Sequence, residues 1–424
     1  MDDQLQLLKD QAQRLDAEDK LKRFKSCFAV ADPDELYMDG NSLGRLPNST
    51  REYLSEVIEA QWGDRLIRSW HENWYDAPVR IGDKLGAMIG ARPGEVIISD
   101  STTINLYKLV VSALKARPSR KKIVTDVLNF PTDLYTIQGA INLMDKGHEL
   151  CLIPSKDEIQ ISLEDYKKAL DDNTALVTFS TPTFKSGFLH DVAQMTKLAH
   201  EAGAVVLWDF SHAVGVIPID VTAWELDFAV GCSYKYMNGG PGAPAFLYVN
   251  HQMQASIQNQ PLGWWGHQNP FAFDLDYQPA ESIRRMLVGT PPVLSLMAIE
   301  PAVDLVHQAG IHNIRAKSIR LGDFFIQAYD MLLREKGYEL GSPRDGQIRG
   351  SHISLRHAES FRIYQALTRE LKVIPDFREP DNIRLGFSPL YTSFDDIYQV
   401  ALRLSAVVDE TIFEKYDNER LRVT

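Results

Sequence analysis

The sequence has 424 residues, of which 44% are hydrophobic and 24% charged, and its formal net charge is −12 at pH 7. These proportions are typical of a soluble globular protein with one large or two ordinary domains. The acidic balance argues against a nucleic-acid-binding protein, which needs a basic face, and the lack of any run of about 18 apolar residues argues against a membrane protein.

The cysteines, Cys27, Cys151 and Cys232, are odd in number and widely spaced. Because no CxxC, HExxH or other zinc-like spacing occurs, we predict neither a disulfide framework nor a metal site. Free thiols fit a reducing compartment, and residues 1–24 are charged throughout, without the apolar stretch of a signal peptide. We therefore expect a cytoplasmic protein.

The N-terminal segment has helical spacing, with Leu5, Leu8, Ala12 and Leu15 near one stripe. The following stretch, YMDGNSLGRLP (37–47), is rich in Asp, Gly, Asn and Pro, which predicts an irregular, exposed loop. A surface turn and the border of a functional site are equally good interpretations of this loop.

From about residue 95, strands alternate with helices. The strands are predicted in EVIISDST, KKIVTDVLNFP, HELCLIP, TALVTFSTPT, AVVLWDFSHA, DFAVGCS and APAFLYV, and helices lie between most of them, as in TINLYKLVVSALKA and DVAQMTKLAHEAG. This alternation predicts an α/β fold with a mostly parallel central sheet. Because the strands are nearly continuous apolar runs, we expect helices on both faces of the sheet.

Past residue 300 the pattern changes to long helices, short strand-like pieces such as HISLRH and IRLGFSP, and a final helix. This pattern of helices and short strands predicts a smaller α+β C-terminal domain. We therefore divide the chain into a large domain, residues 1–300 with the N-terminal helical segment, and a small domain, residues 301–424.

Ligands of open parallel sheets bind at the carboxyl ends of the strands, so polar residues at those ends are informative. Thr102 and Thr103 follow the first such strand, where hydroxyls and free N–H groups at a helix start can bind an anion, although a plain N-cap explains them too. The next strand ends in the sequence Phe130, Pro131, Thr132 and Asp133. Capping accounts for Thr132 and Asp133, whereas Phe130 is a candidate to lie against a planar ligand.

Asp209 follows four apolar residues at the end of a buried strand, where a carboxylate is costly without a cationic partner. His212 comes three residues later. Tyr234 and Lys235 follow the next strand, before a glycine-rich loop that allows a backbone to pass close to a ligand. A lysine in an apolar site has a lowered pKa and becomes a nucleophilic amine.

Together these residues are the parts of a site for pyridoxal 5′-phosphate (PLP). The cofactor aldehyde needs a lysine, its pyridine nitrogen a carboxylate, its phosphate hydroxyls and N–H groups, and its ring an aromatic face. The order of hydroxyls, aromatic, Asp209 and Lys235 along successive strand ends fits fold-type-I PLP enzymes. The fold prediction is therefore a fold-type-I PLP-dependent transferase fold.

The chain resembles the kynureninases, carbon–carbon hydrolases of the class-V aminotransferase group. The segments that carry the resemblance span most of the chain: YMDGNSLGRLP, STTINLYKL, FPTDLY, WDFSHAVGVIPIDV, GCSYKYMNGGPGAPAFLYV, GWWGH, IRRMLVGTPPVLSL and IRLGFSPLYTSFDDIY. The resemblance implies PLP-dependent hydrolysis of L-kynurenine, 3-hydroxy-L-kynurenine or both to alanine plus an anthranilate. It also implies a place in tryptophan catabolism, in the kynurenine pathway towards NAD biosynthesis.

The resemblance assigns roles by position. Lys235 is expected to form the Schiff base, Asp209 to pair with the pyridine nitrogen, Phe130 to stack on the ring, and Tyr234 to hold the phosphate and to donate a proton. The remaining cofactor residues that it implies in this chain are Thr102, Thr103, Pro131, Thr132, Asp133, Ser180 and His212.

Further residues connect the site to substrate and to a second subunit. Trp264 and Thr290 match phosphate-site residues that the neighbouring subunit supplies, which implies a homodimer with shared active sites. Arg384 matches the arginine that binds the α-carboxylate of the amino-acid substrate. Trp70 and His71, with Trp74, are candidates to border the aryl ring, and a core role for both tryptophans is an equal alternative.

The segment Thr183–Lys185 departs from the family pattern, which has an Asn or Gln before a Tyr or Phe. An amide contact is therefore lost or replaced. Two other classes of function stay open: another fold-type-I PLP enzyme, such as an aminotransferase or desulfurase, and a non-catalytic binding protein. The joint presence of Lys235, Asp209 and Arg384 argues against the latter.

Overall fold

The computed structural model describes residues 2–418. The helices in this range are α1 Asp2–Ala17, α2 Asn48–Glu56, α3 Ala77–Met88, α4 Thr102–Ala116, α5 Pro131–Met144, α6 Leu163–Ala169, α7 Val192–Glu201, α8 His251–Gln254, α9 Val293–Met297, α10 Ile299–Ala309, α11 Ile311–Leu332, α12 Ser360–Arg369 and α13 Phe394–Asp409. The strands are β1 Leu36–Tyr37, β2 Val96–Ser99, β3 Lys122–Asp126, β4 Glu149–Ile153, β5 Thr174–Ser180, β6 Val205–Asp209, β7 Phe228–Gly231, β8 Ala245–Val249, β9 Glu339–Leu340, β10 His352–Arg356, β11 Val373–Ile374, β12 Asp376–Arg378 and β13 Asn382–Gly386.

The large sheet has the strand order β2-β8-β7-β6-β5-β3-β4, and only β8 runs antiparallel to its neighbours. Alternate residues of β6 belong to two different apolar cores. Val206 packs in one cluster, whereas Val205 and Leu207 pack in the other. Both faces of the sheet are therefore covered, which is why its strands are continuously apolar. The prediction of a mostly parallel sheet with helices on both faces is confirmed.

The small sheet is antiparallel, with the order β12-β13-β10-β9. Helices α11 and α13 pack together beside it and form a separate apolar cluster with the sheet residues Ile353 and Leu385. The N-terminal helix α1 packs on α13, and its Leu8 and Ala12 are fully buried in the same cluster. Thus α1 adds to the core of the C-terminal region, although the division at residue 300 assigns it to the large domain.

The loop of residues 37–47 differs from its prediction, because much of it is buried between the two cores. Its backbone pairs with both sides: Gly44 N donates to Tyr234 O at 2.8 Å, and Gly386 N donates to Met38 O at 2.6 Å. These bonds satisfy polar backbone groups that an irregular segment otherwise exposes to water. The expectation of an exposed loop is therefore wrong, and the loop connects the end of β7 with β13.

Candidate active site

The carboxyl ends of β2, β3, β6 and β7 surround a cavity of about 430 Å³. A volume of this size is in the range of small-molecule sites. Its lining comprises Asp100, Ser101, Thr102, Thr103, Phe130, Thr132, Asp133, Asp209, Ser211, His212, Tyr234, Lys235, Gly242, Ala243, Pro244 and Pro292. The cavity thus brings together most of the residues that the sequence singled out as cofactor ligands.

Lys235 lies on the loop after β7, and its amine points into this cavity. The Nζ atom lies 3.1 Å from His212 Nε2 and 5.8 Å from the ring centre of Phe130. Burial lowers the pKa of Lys235, and it lowers the pKa of His212 well below its usual value, with the Lys235 charge as the next cause. Both changes favour a neutral amine beside a neutral imidazole, which is the state that a nucleophilic lysine needs.

The carboxyl groups of Asp209 and Asp133 line the cavity. Asp209, at the end of β6, is 4% exposed, and its Oδ1 accepts a hydrogen bond from Ser211 N at 2.7 Å. Burial raises the pKa of Asp209, and burial together with the charge of Asp209 raises the pKa of Asp133 well above its usual value. The nearby ammonium form of Lys235 opposes both shifts. A cationic ring nitrogen in the cavity is therefore a favourable partner for Asp209.

The opposite end of the cavity is the start of α4. Ser101 caps this helix, with its Oγ accepting from Ile104 N at 3.4 Å, and Thr102 and Thr103 form the first turn. The first N–H groups of a helix have no partner within the helix and carry partial positive charge. Hydroxyls and amides at this end suit a phosphate group.

Three buried polar atoms around the cavity have no hydrogen-bond partner among the described residues: Asp133 Oδ2, Ser180 Oγ and His212 Nδ1. Ser180 is the register partner of Asp209 and ends β5. Buried polar groups without partners are costly, so these atoms point to a polar ligand that completes the site. PLP fits this cavity, because the cavity is lined by an amine, a carboxylate, an aromatic face and a helix start that suits a phosphate.

Tyr234 lies beside Lys235 on the same wall. Its pKa is raised, first by interaction with Cys232 and then by burial, so the phenol keeps its proton at neutral pH. A protonated phenol is able to donate a hydrogen bond or a proton. The carbonyl of Tyr234 is held by the Gly44 amide, which fixes this wall to the loop of residues 37–47.

Arg384 lies on β13 of the small sheet and is 1% exposed. Its Nε donates to Asp376 Oδ2 at 2.7 Å, its Nη2 lies 3.3 Å from Ser42 Oγ, and its Nη1 donates to the carbonyl of Phe184. Burial lowers its pKa to about 10, so the guanidinium remains charged at neutral pH. Arg384 is thus held by Asp376 of β12, by the loop after β5 and by the loop of residues 37–47.

The two residues assigned to a second subunit, Trp264 and Thr290, do not line the cavity, although Thr290 lines a small pocket that shares Asp100, Pro244 and Pro292 with it. Trp264 is 42% exposed, and Thr290 is exposed on the segment before α9.

Trp70 packs in an aromatic cluster, with its ring centre 5.4 Å from that of Trp74 and 5.2 Å from that of Trp265, and His71 beside it is exposed. Pro131 does not line this cavity but a neighbouring one.

That neighbouring cavity, of about 640 Å³, lies between the two sheets, and the Thr183–Lys185 segment lines it together with Arg378. The ring of Phe184 packs edge-on against Phe130 at 5.2 Å. The carbonyl of Phe184 also accepts from Arg384. The Thr183–Lys185 segment, which departs from the family pattern, therefore contacts both Phe130, the predicted ring-stacking residue, and Arg384, the predicted carboxylate-binding residue.

Sequence reasoning missed two residues near the site. His352 on β10 is fully buried, and its ring centre lies 5.8 Å from that of His212. Burial and the charge of Arg384 lower its pKa to about 3, so it is neutral. Asp39 has a pKa raised by burial, with Arg384 and Arg378 opposing. His352 has no local motif, and the pairing of β10 with β13 brings it close. Asp39 lies in the segment of residues 37–47, which the sequence marks as a possible border of a site without singling out this residue.

Within residues 2–418, no cluster of three or more His, Cys, Asp or Glu side chains is arranged to hold a metal ion. In the same range, no helix has both the length and the apolar character needed to span a membrane.

Comparison with known proteins identifies similar sequences. The family model described as Kynureninase C-terminal domain matches residues 314–404. A kynureninase from Pseudomonas fluorescens is 39% identical over 401 residues, which cover 93% of this chain and 94% of the relative. A kynureninase from Burkholderia pseudomallei strain K96243 is 39% identical over 406 residues, which cover 95% of each chain.

Solved structures give the same fold at lower sequence identity. The cysteine desulfurase CsdA from Escherichia coli has a TM-score of 0.79 at 15% identity, covering 94% of this chain and 99% of its own. The apo cysteine desulfurase from Thermococcus onnurineus NA1 has a TM-score of 0.77 at 18% identity, covering 89% and 95%. A C-DES variant with glycine linked covalently to its PLP cofactor has a TM-score of 0.76 at 16% identity, covering 88% and 97%. The fold is therefore the fold-type-I fold of PLP-dependent enzymes, as predicted.

Proposed function

The chain belongs to the kynureninase family, and we propose that it hydrolyses L-kynurenine, 3-hydroxy-L-kynurenine or both, with PLP as cofactor. The products are L-alanine and anthranilate or 3-hydroxyanthranilate. The observation that carries this proposal is the 39% identity to named kynureninases over nearly the whole chain. The cavity supports this proposal, because it is lined by the amine of Lys235, the carboxylate of Asp209 and the helix start at Ser101–Thr103, which suits a phosphate.

Bound PLP supplies an aldehyde that links to amines and a protonated ring that withdraws electrons from the substrate α-carbon. Lys235 would hold the cofactor through its amine and, as a neutral amine, would take the α-proton of the substrate. Asp209 would keep the ring nitrogen protonated. After water has added to the γ-carbonyl and the Cβ–Cγ bond has broken, the phenol of Tyr234 supplies a proton to Cβ.

Arg384 binds the α-carboxylate in this proposal. The support is its position on the small sheet, at the boundary with the large one, and its charged state at neutral pH. A guanidinium can bind a carboxylate with two parallel hydrogen bonds. Since Asp376 already accepts from Arg384, the incoming carboxylate shares or replaces this contact.

We also propose that the active protein is a cytoplasmic homodimer. Trp264 and Thr290 are exposed, and exposed apolar side chains follow Trp264 on the same segment: Phe271 at 50%, with its ring centre 5.8 Å from that of Trp264, Phe273 at 75% and Leu275 at 103% exposure. Exposed apolar patches of this kind commonly mark protein interfaces. The cytoplasmic location is supported by Cys27, Cys151 and Cys232, which are all free thiols.

Incubation with each substrate tests the activity. We expect an anthranilate, detected by its fluorescence, and an equal amount of alanine. The Lys235→Ala variant is the control and should form neither product. Sulfide release from cysteine, or transfer of the substrate amine to a keto acid without an anthranilate, would instead assign the chain to another class of fold-type-I enzyme.

A further inference from the structure

A buried lysine lies behind the hydroxyl end of the cavity. Lys108, on the second turn of α4, has a side chain that is 0% exposed. Its Nζ contacts Asp100 Oδ2 at 2.5 Å, the carbonyl of Met286 at 2.7 Å and Ser99 Oγ at 3.2 Å. Lysines are rarely buried, because an ammonium loses its hydration, so such a residue is retained only where its charge is paired.

Its partner, Asp100, has an unusual backbone. The residue lies between β2 and α4 with φ of +44°, in the left-handed region that non-glycine residues rarely adopt. Besides the ion pair, its Oδ2 accepts from Ser99 Oγ at 2.6 Å, and its carbonyl accepts from Ala245 N at 2.8 Å. These contacts hold a backbone conformation that is otherwise unfavourable.

The position of Asp100 creates an electrostatic problem for a phosphate ligand. Its carboxylate is 32% exposed and lines the cavity next to Ser101, Thr102 and Thr103. A phosphate dianion bound at the start of α4 is close to this negative charge, and like charges repel strongly where water is partly excluded. An ammonium on the buried side of Asp100 cancels this repulsion.

We infer that Lys108 is a positioning residue for the cofactor phosphate, an inference that rests on the proposed function. Its ammonium neutralises Asp100 and fixes the turn that presents the hydroxyls and amides of Ser101–Thr103 to the phosphate. Through the carbonyl of Met286, it also ties this turn to the segment that leads to Thr290. Lys108 does not touch the phosphate itself, since Asp100 and the helix backbone lie between them.

The test compares the affinities of PLP and of pyridoxal, which lacks the phosphate. The full chain is freed of cofactor by dialysis, and binding is followed by visible absorbance. We expect Lys108→Met to weaken PLP binding by about 10- to 100-fold while pyridoxal binding changes much less, because roughly 1.4 kcal/mol corresponds to each tenfold. Asp100→Asn in the same chain should restore most of the loss, since it removes the repelling charge.

Lys317→Met is the matched control, because Lys317 is a second buried lysine, paired with Asp19 at 2.7 Å near the N-terminal helix. This variant should lower the melting temperature and leave the ratio of the two affinities unchanged. An equal loss for PLP and pyridoxal in Lys108→Met would show a merely structural role and overturn the inference. A failure of Asp100→Asn to restore PLP binding would overturn it as well.

If Lys108→Met does not fold, the single variant Asp100→Asn decides the question. It leaves the ammonium without its carboxylate, so the preference for PLP over pyridoxal should rise, and an unchanged or lower preference would overturn the inference. The wild type separates this test from the proposed function. If it binds PLP without cleaving kynurenine, the activity is wrong and the role of Lys108 stands; if it does not bind PLP, both are wrong.

Discussion

Asp209 is the only charged residue of β6, and its carboxyl group is buried with the backbone of Ser211 as a partner. A carboxylate in this position favours a protonated ring nitrogen, and a neutral amide does not. We expect Asp209→Asn to retain covalent labelling by PLP and borohydride at Lys235 but to lower turnover at least about a hundredfold, the typical cost of a lost electrostatic contact. Asp19→Asn, remote from the cavity, should keep normal turnover; normal turnover in Asp209→Asn would contradict its role.

In the proposed function, the Arg384 side chain distinguishes amino acids from amines that lack a carboxylate. Loss of a charge-assisted pair costs about 2–5 kcal/mol. We therefore expect Arg384→Ala to weaken kynurenine binding by roughly 30- to several-thousand-fold, with partial recovery in Arg384→Lys, because an ammonium lacks the planar fork. Spectral titration with kynurenine and with an analogue that lacks the carboxylate measures this effect.

In the wild type we expect a strong preference for kynurenine over the analogue, and in Arg384→Ala almost none. Undiminished discrimination in that variant would assign the carboxylate to another residue, with Arg378 or Arg356 as the next candidates. A melting curve of each variant is needed beside the titration, since Asp376 loses one of its partners when Arg384 is removed.

Among the helices, α3 packs closely on β2 through a glycine. A Cβ on Gly82 would lie 2.9 Å from Ile97 Cα and still closer to the Val96 carbonyl. We expect Gly82→Ala to lower the free energy of unfolding by about 1–3 kcal/mol, the typical cost of overpacking. Gly139, exposed in α5 with nothing within 4 Å of its Cβ position, is the matched control: Gly139→Ala should raise it by about 0.5–1 kcal/mol. Urea denaturation measures both, and equal effects would contradict the close packing.

Helix α7 is tied to the start of β7 by a titratable pair. His200 Nε2 lies 2.9 Å from Asp227 Oδ2, and this hydrogen bond raises the pKa of His200 above its usual value. Because the folded pKa exceeds the unfolded one, the pair stabilises fully below the unfolded value of about 6.5, and its contribution is lost as pH rises through the folded pKa.

His200→Gln should therefore destabilise the protein more at about pH 5 than at about pH 9. Urea denaturation of wild type and variant at the two values measures the difference. A constant difference in the free energy of unfolding across this range would show that His200 acts through packing rather than through its charge.

At the scale of the whole molecule, the proposed homodimer places the exposed Trp264 and Thr290 of one chain at the site of its partner. We expect Trp264→Ala and Lys235→Ala each to be inactive or strongly impaired as pure proteins. In a hybrid dimer of the two variants, one site contains both changes and the other contains neither, so co-expression should restore activity. Tagged purification of the hybrid and the kynurenine assay measure this effect. If the hybrid remains inactive, Trp264 acts within its own chain.

The sequence by itself determined the elements and most of the cavity. Strands β2–β8 occur where apolar runs predict them, because a strand that is covered on both faces has a local signature. The polar residues at their ends fall together for a general reason, since parallel strands place their carboxyl ends on one edge of the sheet. That rule accounts for Asp133, Asp209 and Lys235 without any knowledge of distant contacts.

Tertiary structure decided what depends on contacts between distant segments. The loop of residues 37–47 has the composition of an exposed turn, yet pairing with Tyr234 and Gly386 buries it. Helix α1 joins a core made almost entirely of residues beyond 300, and His352 reaches His212 only because β10 pairs with β13. These positions are set by side-chain packing and hydrogen bonds across long loops, which leave no periodicity in the sequence.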